Sequence, residues 1–127
     1  MEIGGKMKYQ FTNDKPIYLQ LMDVFKMAIV SGEFKPGAKV EPVRDLAINA
    51  QVNPNTMQKA LSELERIGLV RVERTSGRFI TDDVALIDSM KKEMAAVEID
   101  TFLKKMQSIG IEKKETVKLI NSYKKGD

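Results

Sequence analysis

Asn53, Asn55, Thr56, Gln58 and Lys59 fall within a single stretch, Gln51-Val-Asn-Pro-Asn-Thr-Met-Gln-Lys59. None of these side chains is a nucleophile or a proton shuttle at neutral pH. They donate and accept hydrogen bonds, and one carries a positive charge. The chain has no Cys and no His, which removes thiolate and imidazole metal ligands, disulfides and an imidazole base. No carboxylates are spaced as a calcium loop, and no glycine-rich phosphate loop is present. An enzyme is therefore not expected, nor a metal or cofactor. The chemistry on offer is recognition.

Charge points the same way. Residues 1–34 carry four basic and four acidic side chains, and residues 82–127 carry nine of each. The stretch 35–81 holds Lys35, Lys39, Arg44, Lys59, Arg66, Arg71, Arg74 and Arg78 against five acidic residues. The whole net charge of +3 thus sits around the polar stretch, together with every Arg in the chain. Arg suits phosphate oxygens and guanine edges, although a solvated surface also produces such fluctuations.

The elements that must position these residues are legible from periodicity. Met7, Tyr9 and Phe11 alternate with polar residues and predict a short strand. Pro16 opens a helix over 16–31, with Ile17, Leu21, Val24, Phe25, Ala28 and Ile29 inward and Gly32 as its stop. Phe34-Lys35-Pro36-Gly37 is a turn. Pro42 opens a shorter helix, with Val43, Leu46 and Ala47 inward, that ends near Gln51. After a sharp corner, a third helix buries Met57, Ala60, Leu61, Leu64 and Ile67 and closes at Gly68. Leu69–Val72 and Phe79–Thr81 read as two short strands around the loop Glu73–Arg78, where Gly77 supplies the left-handed residue. That order is a winged helix-turn-helix, here assigned to residues 7–81.

A second segment, 84–124, is helical. Ile87, Met90, Met94 and Val97 form an apolar stripe that Leu103 and Met106 extend, Gly110 breaks it, and Val117, Ile120 and Tyr123 mark a shorter helix. A pair of about 40 residues buries little surface alone. These nine residues are the expected dimerisation surface, with packing on the body of the chain's own domain as the alternative, since two-fold dimers are the commonest closed assembly. Met90, Met94 and Met106 have a second reading as the lining of a small-molecule effector site, although Met stripes are more often core. The fold expected is mainly α with a small β-wing, followed by a two-helix tail. At 127 residues and 43% hydrophobic content, one small domain with an appendage is the simplest division. No apolar run approaches the roughly 20 residues of a membrane span. Met1–Gln10 lacks a secretory h-region, and both Met1 and Met7 are candidate starts. A cytoplasmic location is expected.

In a helix-turn-helix the second helix of the motif enters the major groove and its first turn faces base edges. Asn53, Asn55, Thr56, Gln58 and Lys59 occupy that turn. Asn and Gln can pair bidentately with adenine, and Thr can bond a base or a phosphate. One Asn is also expected to cap the helix. Lys59 and Arg44 read as phosphate clamps, which fix register without reading sequence. Arg74, Ser76, Gly77 and Arg78 lie where a wing meets the minor groove.

The stretch from "PIYLQ" through "VNPNTMQKAL" to Ile80 resembles the DNA-binding domain of the GntR superfamily over residues 16–80, and most closely its YtrA subfamily. The blocks that carry the resemblance are Gly32…Lys35-Pro36-Gly37, Arg44-Asp45-Leu46-Ala47, Val52–Thr56, Leu64-Glu65…Gly68 and Gly77…Phe79. The resemblance implies a bacterial transcriptional regulator, usually a repressor, on an inverted-repeat operator as a homodimer. It places DNA contacts on Arg44, Asn53, Asn55, Thr56, Lys59 and Gly77. The segment after Thr81 is too short for the large effector or aminotransferase-like domains of other subgroups and matches the YtrA-type tail. Such regulators often accompany ABC-transporter genes. Three departures stand out. Val40-Glu41-Pro42 replaces the usual Leu-Pro-Ser, Thr75 stands where the wing often has Gly, and Gln58 where some relatives carry Arg. Contacts are therefore expected to shift toward Lys39, Lys59 and the wing arginines.

The partner expected is double-stranded DNA with a palindromic site, bound by a homodimer. The alternative is a winged-helix module for protein–protein contact without nucleic acid, against which the polar helix tip and the Arg-bearing wing argue. Neither the operator letters, nor an effector, nor the choice between repression and activation follows from the sequence.

Overall fold

The computed structural model describes residues 7–126. The segment from Met7 to Thr12 forms no strand. Alternation supplied an apolar side, but a strand also needs a sheet edge to complete its ladder, and none pairs with this segment. Side-chain contacts order it instead. The Tyr9 and Phe11 rings lie 6.0 Å apart, and the buried Gln20 side chain ties down its end. Gln20 Nε2 donates to the carbonyls of Thr12 and Lys15 at 2.9 and 2.7 Å, while its Oε1 accepts from the Thr12 N–H at 2.8 Å.

Helix α1 spans Ile17–Val30, directly after Pro16, whose fixed φ suits a helix start. Pro42 plays the same role for α2, Val43–Ala50. Neither helix has a side-chain cap at its N-terminus. For α2 this is the consequence expected of Glu41-Pro42 in place of a capping hydroxyl. Helix α3 spans Pro54–Arg66 and is capped by Asn53, whose Oδ1 accepts the Asn55 N–H at 2.7 Å.

Strands β1 (Val70–Glu73) and β2 (Gly77–Ile80) pair antiparallel, with Val70 opposite Ile80 and Glu73 opposite Gly77. The sequence pattern missed a third segment on this ribbon. Lys39 bridges Phe79, the Val40 N–H donates to the Arg78 carbonyl at 2.9 Å, and the Ile80 N–H donates to the Ala38 carbonyl at 2.8 Å. The chain after the Lys35–Gly37 turn therefore covers the free edge of β2.

The core of this part is the meeting of three helices and the ribbon. Leu21 and Phe25 of α1, Leu46 of α2, Leu61 and Leu64 of α3 and Ile80 of β2 are all fully buried. Ala60 of α3 is fully buried as well.

Helix α4 spans Val84–Ser108 and α5 spans Lys113–Ser122. Asp83 starts α4 by accepting the Leu86 N–H at 3.0 Å. The chain divides into two compact units within α4, one running to Ser89 and the other from Met90. Among the described residues of the second unit the one buried residue is Thr116, whose hydroxyl donates to the Glu112 carbonyl at 3.0 Å. Tyr123, placed on the last helix by spacing, instead caps α5 in an extended conformation. Among the described residues no helix is long and apolar enough to cross a membrane.

Candidate nucleic-acid interface

The corner between α2 and α3 is three residues long, Gln51–Asn53. Gln51 takes the left-handed conformation at φ 57°, and the Val52 N–H returns to the Ala47 carbonyl at 3.0 Å. A left-handed residue ends a helix by closing its last carbonyls and redirecting the chain. Gln is an unusual occupant of that region, so the turn is held by its surroundings. Helix α3 consequently leaves the corner with Met57, Ala60, Leu61 and Leu64 buried and with Asn55, Gln58, Lys59 and Ser62 exposed. Positions three and four apart share a face, so the polar set lies on one side.

The members of that set differ in availability. Asn53 spends its Oδ1 on the cap, which leaves its amide NH₂ to act outward. Gln58 Nε2 donates to Ser62 Oγ at 3.1 Å, an exposed bond that a ligand can displace. Thr56 is half-buried and lines a groove with Asn55, Lys59, Pro16, Ile17 and Tyr18. The Lys59 ammonium sits over the Tyr18 ring, 4.0 Å from its centroid.

The wing is the turn between β1 and β2. Gly77 has φ 103°, a conformation that L side chains rarely adopt. Arg74, Thr75 and Ser76 are exposed at its tip, and Arg78 is half-buried. The Lys39 stem runs beside Gly77, because the segment before α2 bridges β2. Five of the residues expected to contact nucleic acid, Lys39, Arg74, Ser76, Gly77 and Arg78, thus belong to one ribbon. The other six are Arg44 on the first turn of α2 and the five residues at the start of α3.

Ion pairing sorts the cations. Arg66 pairs Glu63 at 2.5 Å, and Lys15 pairs Asp23 at 2.6 Å. Arg71 pairs Glu73 and also Asp82 at 3.2 Å, and its guanidinium lies 4.9 Å from the Phe79 ring centroid. Arg71 therefore braces the wing base. By contrast Lys39, Arg44, Lys59, Arg74 and Arg78 have no carboxylate within ion-pair distance among the described residues. Their charge is uncompensated at short range. Sequence reasoning did not separate Arg66 and Arg71 from the others: the spacing of three between Glu63 and Arg66 on one helix was a local signal for the first, whereas the Arg71–Asp82 pair exists only in the fold. It also passed over Tyr18, whose nearness to Lys59 crosses two helices.

Glu41 is the local counterweight. It accepts from Asn49 Nδ2 at 3.4 Å, and its carboxylate together with burial pushes the Tyr9 hydroxyl pKa up to about 12, burial contributing most.

In the second unit Met90, Met94, Leu103 and Met106 are half-buried, as is Ile87 near the start of α4, while Val97, Val117, Ile120 and Tyr123 are exposed. Phe102, Met106, Thr116, Leu119, Ile120 and Tyr123 line an apolar groove of about 380 Å³ between the end of α4 and α5. Phe102 and Leu119 were absent from the expected surface, although their exposure matches that of its members.

Comparison with known proteins gives this geometry a family. The family model "Bacterial regulatory proteins, gntR family" matches residues 17–80. The uncharacterized HTH-type transcriptional regulator YhcF of Bacillus subtilis (strain 168) is 38% identical over 120 residues, covering 94% of this chain and 99% of that protein. The HTH-type transcriptional repressor YtrA of the same organism is 41% identical over 68 residues, 54% of this chain and 52% of its own length. Among solved structures, a GntR family transcriptional regulator from Listeria monocytogenes superposes with a TM-score of 0.81 at 31% identity, covering 90% of this chain and all of that one. These relatives are regulators, not enzymes. The matched residues hold the corner, the tip of α3 and the wing: the chain belongs to the GntR family of bacterial transcriptional regulators, carries that family's DNA-binding domain, and has YtrA-type relatives.

Proposed function

We propose that this protein is a homodimeric, sequence-specific repressor that binds an inverted-repeat operator in the cytoplasm. The observation that carries the reading is the exposed tip of α3, where Asn55 and Gln58 project beside an unpaired Lys59. In this reading Asn53, Asn55, Thr56 and Gln58 meet base edges and phosphates in the major groove. Arg44, Lys39 and Lys59 hold the backbone, and Arg74, Ser76, Gly77 and Arg78 follow the minor groove. Two copies set their α3 helices about 34 Å apart, one duplex turn, which makes the site a palindrome.

Dimerisation is assigned to 84–124. Exposed apolar side chains such as Phe102, Ile120 and Tyr123 support it, because a unit with so little buried surface gains most by covering them. Repression is supported by the YtrA relative, which is itself a transcriptional repressor, and the YtrA resemblance points to ABC-transporter genes as targets. An effector that tilts α4 and α5 would change the spacing of the two reading helices. A gel shift on the protein's own promoter region at two salt concentrations, with sedimentation at micromolar protein, tests the reading. A salt-sensitive shift by a dimer is expected. A monomer indifferent to that duplex would refute it.

A further inference from the structure

Lys59 differs from the paired cations of this unit in what holds it. Arg66, Arg71 and Lys15 are fixed by carboxylates, which cancel their charge at short range. Lys59 is held by a ring, 4.0 Å below its ammonium. An aromatic face attracts a cation through its quadrupole and carries no net charge. The contact therefore orients the ammonium and leaves its full charge for another partner. Lys59 and Tyr18 both line an open groove of about 430 Å³ with Pro16, Ile17, Asn55 and Thr56. Among the described residues Lys59 is the one charged side chain in that lining, which includes no carboxylate. The groove also meets the start of α1, which has no side-chain cap, so the N–H groups of Ile17 and Tyr18 lack intrahelical acceptors. A cation with three donors, hydroxyl and amide side chains and two backbone donors converge there.

We infer that this groove seats a backbone phosphate of the bound duplex, and that Tyr18 is a positioning residue that holds Lys59 in place to receive it. This rests on the DNA-binding reading and adds to it a residue on α1, outside the helix-turn-helix and the wing. Free in solution, a lysine side chain samples many rotamers and must be ordered on binding. The Tyr18 ring restricts that sampling beforehand, so its contribution passes entirely through Lys59.

A double-mutant cycle tests this. The probe is a labelled duplex carrying the sequence that the wild-type protein enriches from a random library, titrated at two salt concentrations. Tyr18→Leu is expected to weaken binding about three- to fivefold in the wild-type background and to have no effect in a Lys59→Met background. Tyr18→Phe, which keeps the ring, should bind within twofold of wild type, on the order of the uncertainty of such contacts. If Tyr18→Leu fails to fold, a trifluorophenylalanine at position 18 keeps the shape while draining the quadrupole, and should show the same Lys59-dependent loss. Equal losses in both backgrounds, no loss in either, or a Tyr18→Phe defect as large as that of Tyr18→Leu would overturn the assignment while leaving DNA binding intact. A wild-type protein that enriches no duplex and binds none at low salt would remove the DNA-binding reading itself, and this assignment with it.

Discussion

Replacing Arg44 by Ala should flatten the salt dependence of operator binding, whereas replacing Arg66 should not. Of the first-unit cations that lack a carboxylate partner among the described residues, five, Lys39, Arg44, Lys59, Arg74 and Arg78, belong to the expected DNA-contacting set. If each meets one phosphate, a dimer neutralises about ten, and the slope of log K against log salt is about −9. Between about 50 and about 200 mM salt, affinity then falls by about 10⁵-fold. Arg44→Ala removes two contacts per dimer, which makes the slope shallower by about 1.8 and reduces the fall by about one decade. Arg66, bound to Glu63 at 2.5 Å, releases no counterion on binding, so Arg66→Ala should leave the slope unchanged. Fluorescence anisotropy across a salt series measures both. An unchanged slope in Arg44→Ala, or an equal change in Arg66→Ala, would refute the use of ion pairing to separate contacting from structural cations.

Other outcomes follow from packing and titration. Leu61→Ala, at a fully buried position of α3, should cost about 2–5 kcal/mol in urea unfolding. Gly37→Ala places a Cβ 2.6 Å from Asp82 Oδ1 at φ 78°, so thermal denaturation should show a loss of about 1–2 kcal/mol. The Tyr9 hydroxyl, raised from 10.0 to about 12 by burial and by Glu41, favours the protonated native state. The unfolded chain releases its proton first, so the stability that Tyr9 contributes is complete below pH 10 and falls between pH 10 and about 12. An ultraviolet difference titration of Tyr9→Phe against wild type checks that window. Ile120→Glu, a charge on an exposed apolar position of α5, should give a monomer by sedimentation while circular dichroism stays helical, and operator affinity should drop with dimer formation.

The polar tip of α3 was readable because its determinants are local. Asn53 caps, Pro54 opens the helix, and the apolar spacing of Met57, Ala60, Leu61 and Leu64 decides which side faces out. The same holds for the wing, where Gly77 sits at the turn and β-branched and aromatic residues flank it. The N-terminal alternation at Met7, Tyr9 and Phe11 misled for the complementary reason. A pattern shows which side chains share a face, but a strand exists only where an edge receives it.

Local chemistry thus determined the element order, the helix ends at Gly32 and Gly68, the corner at Gln51–Asn53 and the set of residues that point outward from α3. Tertiary structure alone decided what those residues touch. Lys39 joins the wing because residues 38–40 pair with β2, Lys59 rests on Tyr18 from another helix, and Arg71 is taken by Glu73 and Asp82 while Arg44 is left unpaired. Hydrogen bonding and side-chain spacing along one element are set within a few residues, so a linear pattern records them. Contacts between elements depend on how the hydrophobic faces settle against one another, and only the folded chain brings distant residues within reach.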